Sequence, residues 1–333
     1  MPLCVVRGSI NCDEYFKVKA IGRPGETISS FGYSKGIGGK GANQALAVAR
    51  AAGTPKSDVH FIGAVGADGT WIKEQLRAWD INVEQVANTG DALPTGRAMI
   101  QVAEDGENAI LLFPGANFDE SHEMSVADAY FPAGTTHLLV QNEITMKSTL
   151  AALAAAKANS SAPVTTVFNP SPMPLPDQLK VFPWHQIDWL LINEGEGQEL
   201  FALLQGSRHA GSVEALLQNL TALDFFAQTN IICTLGGDGL AACTLQNGTR
   251  AFTRLPAAKL QGDIRDTTGA GDTFTGYFVR GLMELEEAQV ASEGEVLTAA
   301  LNCAVQAAGM CVEKTGTVDS IPHRKDVEKR MHL

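Results

Sequence analysis

The 333 residues contain no C-x-x-C pair, no H-E-x-x-H and no G-K-[ST]. The first two absences leave the six cysteines (4, 12, 233, 243, 303 and 311) and the seven histidines without zinc-ligand spacing. Free thiols in a reducing compartment are the expectation. The third absence excludes a P-loop, because the hydroxyl that such a loop offers to magnesium is missing. Positive charge is also scarce. Lys and Arg number 25 against 37 Asp and Glu, a net charge of −12, so nucleic acid is not an expected partner. Apolar runs look too short for the roughly 18 residues of a membrane span, and no membrane partner is expected. The opening "MPLCVVRGSINCDEY" enters a strand-like run without a signal-peptide layout. A cytoplasmic protein is expected, with a peroxisome-like organelle as the second expectation, because the terminal "MHL" faintly echoes S-K-L.

What is present is an ordinary globular composition, 45% hydrophobic and 19% charged. The length would hold one large α/β domain or two. Short β-branched runs ("CVVRGSI", "VHFIGAV", "THLLVQ", "VTTVFN", "DWLLIN", "NIICTLG") alternate with segments apolar at i, i+3, i+4 ("GANQALAVARAAG", "GTWIKEQLRAWD", "TMKSTLAALAAAKAN", "SVEALLQNLTALDFFAQ"). That alternation predicts a mostly parallel sheet with helices on both faces, in three α/β/α layers. Residues 13–36 and 94–113 instead alternate in period two, the second around a turn at Asp105-Gly106. They predict antiparallel strands outside the main sheet, a small β-lid inserted into a single domain spanning 1–333.

Two glycine clusters stand out. "GIGGKGA" (36–42) satisfies G-x-G-x-x-G, but a lid-like segment precedes it and the next strand ends without an acid. The dinucleotide reading fails on that context. What remains is a glycine turn entering a helix with Asn43 in its first turn, where backbone N–H groups can approach a small polar ligand. The second cluster, "DTTGAGDTFTG" (266–276), has almost no side-chain bulk before a helix. The N–H groups of Gly269, Ala270, Gly271 and Asp272 would converge at that helix's positive end, which suits a phosphoryl group. Asp272 beside them could accept a proton from an attacking hydroxyl.

"GGKGANQA" and "DTTGAGDTFTG", with "GSINCD" (8–13), resemble the signatures of the ribokinase-like (PfkB) sugar kinase family, in its order and spacing over about residues 4–322. The resemblance implies that fold and ATP-dependent phosphorylation of D-ribose at O5. It makes Asp272 the general base and Gly269, Ala270, Gly271 and Asp272 the anion hole. Asn11, Asp13, Gly38, Gly39, Lys40, Asn43 and Glu143, with Asp272 itself, become sugar contacts, and Asn193, Thr234, Gly236, Gly239 and Gly271 nucleotide contacts. It further implies Mg2+ near Glu196 through water, and K+ at Asp266, Thr268, Cys311, Lys314, Gly316 and Ser320. Family lids clasp into homodimers, so one is expected here.

Two departures are visible. Val305 stands where the family often has an adenine-facing asparagine, with Asn302 one turn earlier, and Cys12 lies inside the sugar motif. Other members of the family act on 2-deoxyribose, fructose or nucleosides, and these remain alternative acceptors. A non-catalytic sugar sensor on the same fold is opposed by the intact Asp272.

Overall fold

Successive strand residues are buried on opposite faces of one sheet. Leu138 and Val140 enter one core cluster and Leu139 the other, as do Leu190 and Ile192 against Leu191. Helices cover both faces, which is why these strands read as unbroken apolar runs. The computed structural model describes residues 2–53, 58–119, 131–158, 163–288 and 293–332.

The chain begins with β1 (Leu3–Arg7), β2 (Asn11–Val18), β3 (Gly32–Gly38), α1 (Lys40–Arg50), β4 (Val59–Val65), α2 (Thr70–Ala78), β5 (Ile81–Asn82) and β6 (Val86–Asn88). It continues through β7 (Gly96–Ala103), β8 (Asn108–Phe113), β9 (Thr135–Gln141), α3 (Met146–Ala158), β10 (Thr165–Asn169), α4 (Pro176–Val181), β11 (Trp189–Asn193), α5 (Glu194–Gln205) and α6 (Val213–Thr221). It closes with β12 (Asn230–Thr234), β13 (Leu240–Gln246), β14 (Thr249–Leu255), α7 (Ala270–Ala288), α8 (Glu293–Val312), α9 (Thr317–Ser320) and α10 (Arg324–Met331). The terminal Leu333 of the "MHL" triplet lies outside the described residues.

The main sheet has the order β14-β13-β12-β11-β10-β9-β1-β4-β5, with β6 also on β4. It is parallel from β12 to β5, and β13 and β14 add an antiparallel edge. Their hairpin turns at Asn247-Gly248, both with positive φ (49° and 76°), the backbone that an Asn-Gly pair favours.

The lid is a separate sheet, β3-β2-β7-β8. Its two hairpins are antiparallel, as expected, but β2 and β7 pair in parallel from Asn11↔Gly96 to Val18↔Ala103. The expectation of purely antiparallel strands is therefore corrected. Period-two alternation gives the strand faces but not the partner across a long chain excursion. Residues 19–31, expected within the lid strands, form a mostly exposed loop.

A second correction concerns apolar length. Gly294–Val312 reaches spanning length with a mean hydropathy of 1.4. Those residues pack on α7, and Leu301, Ala304, Ala307 and Cys311 are buried in the fold. Small polar and charged residues interrupt this stretch, which is why it does not read as a single apolar run.

The crossing of α1 and α7 sets the site. A Cβ at Gly276 would strike Ala47 and come within 2.7 Å of the Gln44 carbonyl, so the helices approach at backbone distance. Arg280 of α7 donates to the Val48 carbonyl (3.2 Å) and to both Asp58 oxygens (2.6 and 2.7 Å), a buried bidentate pair. Removing either partner of such a pair costs about 3–5 kcal/mol, because the other charge is left buried. The first turns of α1 and α7 are thereby held together.

Candidate active site

Gln141, Asn169, Asn193 and Thr234 are the last residues of β9, β10, β11 and β12; Asn169 pairs with Gln141 and Asn193 with Thr234, and the β10–β11 register sets Asn193 two residues beyond the level of Asn169. Polar groups ending apolar strands line the carboxyl edge of the sheet, where open α/β sheets bind ligands. The first turns of α1 and α7 and the root of the lid face the same edge.

Three glycines of the first cluster, Gly38, Gly39 and Gly41, are there to admit protein atoms. A Cβ on Gly38 would fall on the Asp13 carboxylate, and one on Gly41 would meet the Ser9 nitrogen at 2.5 Å. Gly39 has φ 87°, and its Cβ would stand 2.9 Å from both the Ser9 carbonyl and the Asn11 nitrogen. This close packing brings Asn11, Asp13, Lys40 and Asn43 around one space. Asn11 and Asp13 are each 7% exposed. Asn117, on the short helical turn Gly115–Phe118, donates to Asn11 Oδ1 (2.8 Å), so the Asn11 amide nitrogen is the group left to donate to a ligand.

Charge is concentrated here. Burial, with the fields of Glu143 and Asp272, pushes the Asp13 carboxyl up to about 7, against the opposing Tyr15 hydroxyl. Glu143 accepts from Ser9 Oγ (2.6 Å) and the Lys40 N–H (2.9 Å). Burial raises its carboxyl pKa although Lys40 opposes the shift. Burial depresses the Lys40 ammonium, but the fields of Asp272, Glu143 and Glu196 outweigh it and its pKa is raised. One cation thus stands among several acids.

Asp272 is 7% exposed in the first turn of α7. Asn43 Nδ2 donates to its Oδ2 and Gln44 Nε2 to its Oδ1, both at 2.9 Å. Gly269 has φ 80°, which permits the sharp entry into α7, and its Cβ would touch Thr317 at 3.0 Å. A Cβ on Gly271 would meet nothing within 4 Å. The Ala270 N–H makes a 3.3 Å bond to the Thr267 carbonyl, so it is less free than the sequence implies. Gly271 and Asp272 lie in the first turn, where an N–H has no carbonyl four residues back within the helix.

Asn193 and Glu196 form a reciprocal cap at the start of α5. Asn193 Oδ1 accepts from the Glu196 N–H and Glu196 Oε2 from the Asn193 N–H, both at 2.9 Å. Thr234 stands beside Asn193 in register, and beyond it the turn 236–239 carries positive φ at Gly236 and Gly239. On α8, Asn302 is exposed, whereas Val305 packs on the core.

The segments 266–268 and 311–320 are tied into one loop cluster. Asp266 accepts from the Thr268 N–H (2.9 Å) and the Gly316 N–H (3.0 Å), and the Cys311 thiol contacts Ser320 Oγ (3.0 Å) and the Thr268 carbonyl (3.7 Å). Lys314 donates its N–H to the Cys311 carbonyl at 3.1 Å. The Tyr15 hydroxyl of the lid reaches Thr317 Oγ1 at 3.4 Å. Among the described residues no group of three or more His, Cys, Asp or Glu could hold a metal. Any cation here would rest on carbonyls, hydroxyls, water or ligand phosphates.

The sequence reading did not single out Gln44, Asn117, Gln141 or Asn169. Gln44, Gln141 and Asn169 carried a legible signal: each is a polar residue directly beside an expected site residue or ending an apolar strand.

Residues 1–324 match the family model described as pfkB family carbohydrate kinase. The ribokinase of Schizosaccharomyces pombe is 32% identical over 334 residues, covering 99% of this chain and 98% of the relative. The ribokinase of Cryptococcus neoformans var. grubii serotype A, solved in complex with ADP, superposes with a TM-score of 0.84 at 44% identity, over 99% of this chain and 100% of that one. Arabidopsis thaliana ribokinase, solved with ribose and ATP, gives 0.80 at 28% identity, over 100% and 99%.

Proposed function

Because the chain belongs to the pfkB family of carbohydrate kinases, we propose that it transfers the γ-phosphoryl group of ATP to O5 of D-ribose. The observation that carries this is Asp272: a nearly buried carboxylate, held by two side-chain amides, opening a helix beside the unfilled space at Gly271. In this reading Asp272 takes the proton of the primary hydroxyl as it attacks. The N–H groups of Gly271 and Asp272, at the positive end of α7, face the charge that develops on the phosphoryl oxygens.

The sugar is held by Asn11, Asp13, Asn43 and Glu143, with Gly38, Gly39 and Lys40 closing the same space. This mixture of donors and acceptors suits several hydroxyls at once. The nucleotide lies along the carboxyl edge past Asn193 and Thr234 to the turn 236–239. A Cβ on Gly239 would collide with the Leu255 carbonyl, so the loop is fixed by β14 and presents its backbone outward.

Two cations fit the donor set. Glu196, half-buried at the start of α5, is a single carboxylate of the kind that holds Mg2+ through water together with substrate phosphates. The Asp266 carboxylate, the Ser320 hydroxyl and the carbonyls of Thr268, Cys311, Lys314 and Gly316 carry one formal charge among neutral oxygens, which suits K+. When bound, Mg2+ offsets phosphate charge and K+ braces the loop leading into α7.

The lid's exposed apolar surface favours a homodimer. Phe31, Tyr33, Ile110, Leu111 and Leu112 are each more than half exposed; Ile110 and Leu112 lie on one face of the lid and Leu111 on the other, apolar surface that a second copy would cover. Light scattering at micromolar concentration should give a dimer mass, and L111D should reduce it to a monomer. A monomeric wild type would contradict this part of the reading.

The activity is tested by coupled ADP release with D-ribose, 2-deoxyribose, D-fructose and adenosine, each in potassium and in sodium buffer. Ribose should give the highest kcat/KM, and potassium should raise it. Preference for another acceptor would overturn the assignment of the sugar, and turnover with none would overturn the kinase reading.

A further inference from the structure

We propose that Gln44 is a positioning residue for Asp272, the last link of a chain of amides that transmits the geometry of the sheet to the base. The proposal rests on the reading of Asp272 as the base.

The chain starts at the β11 backbone. Asn169 Nδ2 donates to the Leu191 carbonyl at 2.9 Å, which leaves Asn169 Oδ1 facing α1 as an acceptor. Gln44 Nε2 donates to that oxygen at 3.0 Å and to Asp272 Oδ1 at 2.9 Å, so both of its protons are engaged. Gln44 Oε1 accepts from Gln141 Nε2 at 2.6 Å. Gln44 is therefore held at three points, and an amide flip would break all three bonds. Gln44 and Gln141 are both fully buried, so water cannot replace those partners. Asn169 and Gln141 are paired in register on adjacent strands, which fixes the spacing of the two groups that grip Gln44.

The carboxylate of Asp272 receives one amide donor on each oxygen, from Asn43 and from Gln44. Bonds to an ionised acceptor are the stronger kind, and two of them on different oxygens stop the carboxylate from rotating. A base must lie within hydrogen-bond reach of the hydroxyl it deprotonates, and a displacement of 1 Å can cost about a hundredfold in rate. Asn43 and Gln44 are consecutive on α1, but their tasks differ. Asn43 lies among the sugar groups, and its buried Oδ1 has no hydrogen-bond partner within the fold. Gln44 has no atom left over, so its effect on the reaction passes through Asp272.

The test is single-turnover phosphoryl transfer to ribose in Q44M, Q141M and the double variant, with ribose affinity by calorimetry and crystal structures of wild type and Q44M. Q44M should fold, lose about 10- to 100-fold in transfer rate and keep its ribose Kd within about twofold. Q141M should lose about 3- to 10-fold, and the double variant no more than Q44M alone, since both act through the same amide. In crystals of Q44M the Asp272 carboxylate should leave its wild-type orientation. An unchanged rate, an equal loss of rate and affinity, additive losses, or an unmoved carboxylate would each overturn the proposal. If Q44M fails to fold, an unchanged transfer rate in Q141M would overturn it. A wild type inactive on ribose would count against the base reading, while the orientation of Asp272 would still decide the chain of amides.

Discussion

The two glycine clusters look alike in sequence and differ in what surrounds them. Each opens a helix, α1 or α7, and the two helices cross closely at Gly276. In the first cluster the missing side chains of Gly38, Gly39 and Gly41 are replaced by protein, while Gly36, on the lid strand β3, meets nothing within 4 Å. The Asp13 carboxylate occupies the place of a Gly38 side chain, and the backbone of Gly8 to Asn11 crowds Gly39 and Gly41. In the second, Gly271 has no neighbour within 4 Å of where its Cβ would be and its φ is not positive, so neither packing nor conformation calls for glycine. Alanine there would favour the helix by roughly 1 kcal/mol. A glycine that the fold does not need, beside a nearly buried carboxylate, marks room kept for a ligand. One cluster shapes the protein to present sugar-binding groups, and the other leaves the phosphoryl group its place.

Substitution at Gly271 should separate these roles most widely. G271A should melt at or slightly above the wild-type temperature while kcat falls about 10²–10³-fold, the scale of a lost anion-hole contact. A variant with wild-type kcat would remove the distinction between the clusters. G39A should do the opposite. Its positive φ and the 2.9 Å contacts would cost about 2–3 kcal/mol of stability, read by urea unfolding. Unaltered unfolding would show that the first cluster is not held by packing.

A smaller effect sharpens the sugar side. The Asp13 carboxyl, at about 7, lies above its ordinary value of 3.8. Its contribution to the stability of the free protein is present in full below that ordinary value and is lost as pH rises through about 7. D13N should therefore gain melting temperature on wild type between pH 5 and pH 8. Ribose KM in the wild type should fall about tenfold from pH 6 to pH 8 as the acceptor ionises, since a group titrating near 7 changes its ionised fraction by about that factor. A KM independent of pH would show that ribose does not draw on the Asp13 charge.

The βα alternation could be read from the chain because parallel strands buried on both faces are apolar at consecutive positions, as "HLLV" and "WLLI" show. The parallel pairing of β2 with β7 could not, since its partners are about 85 residues apart and period two carries no direction. The β13–β14 hairpin did have a local signal, Asn247-Gly248, which the βα rhythm overshadowed. In the site, Asp272 and the glycines were visible because their types are unusual where they stand. Asn117 was not, and for Gln44 and Asn169 only the position was legible, because a buried amide gains its role from a partner across the fold: Asn117 lies 106 positions from Asn11 and Gln44 lies 228 from Asp272. Asn193 and Glu196 show the converse. Their spacing was legible, but a helix cap and a ligand site share it, and here the two side chains cap each other.

The most direct test of the account is quench-flow transfer of the γ-phosphoryl group from ATP to ribose in wild type and D272N, with ribose affinity measured in parallel. The account predicts a rate lower by about 10²–10⁴-fold in D272N with ribose Kd nearly unchanged, because the base acts in the transfer rather than in holding the sugar. Wild-type transfer by folded D272N would contradict it.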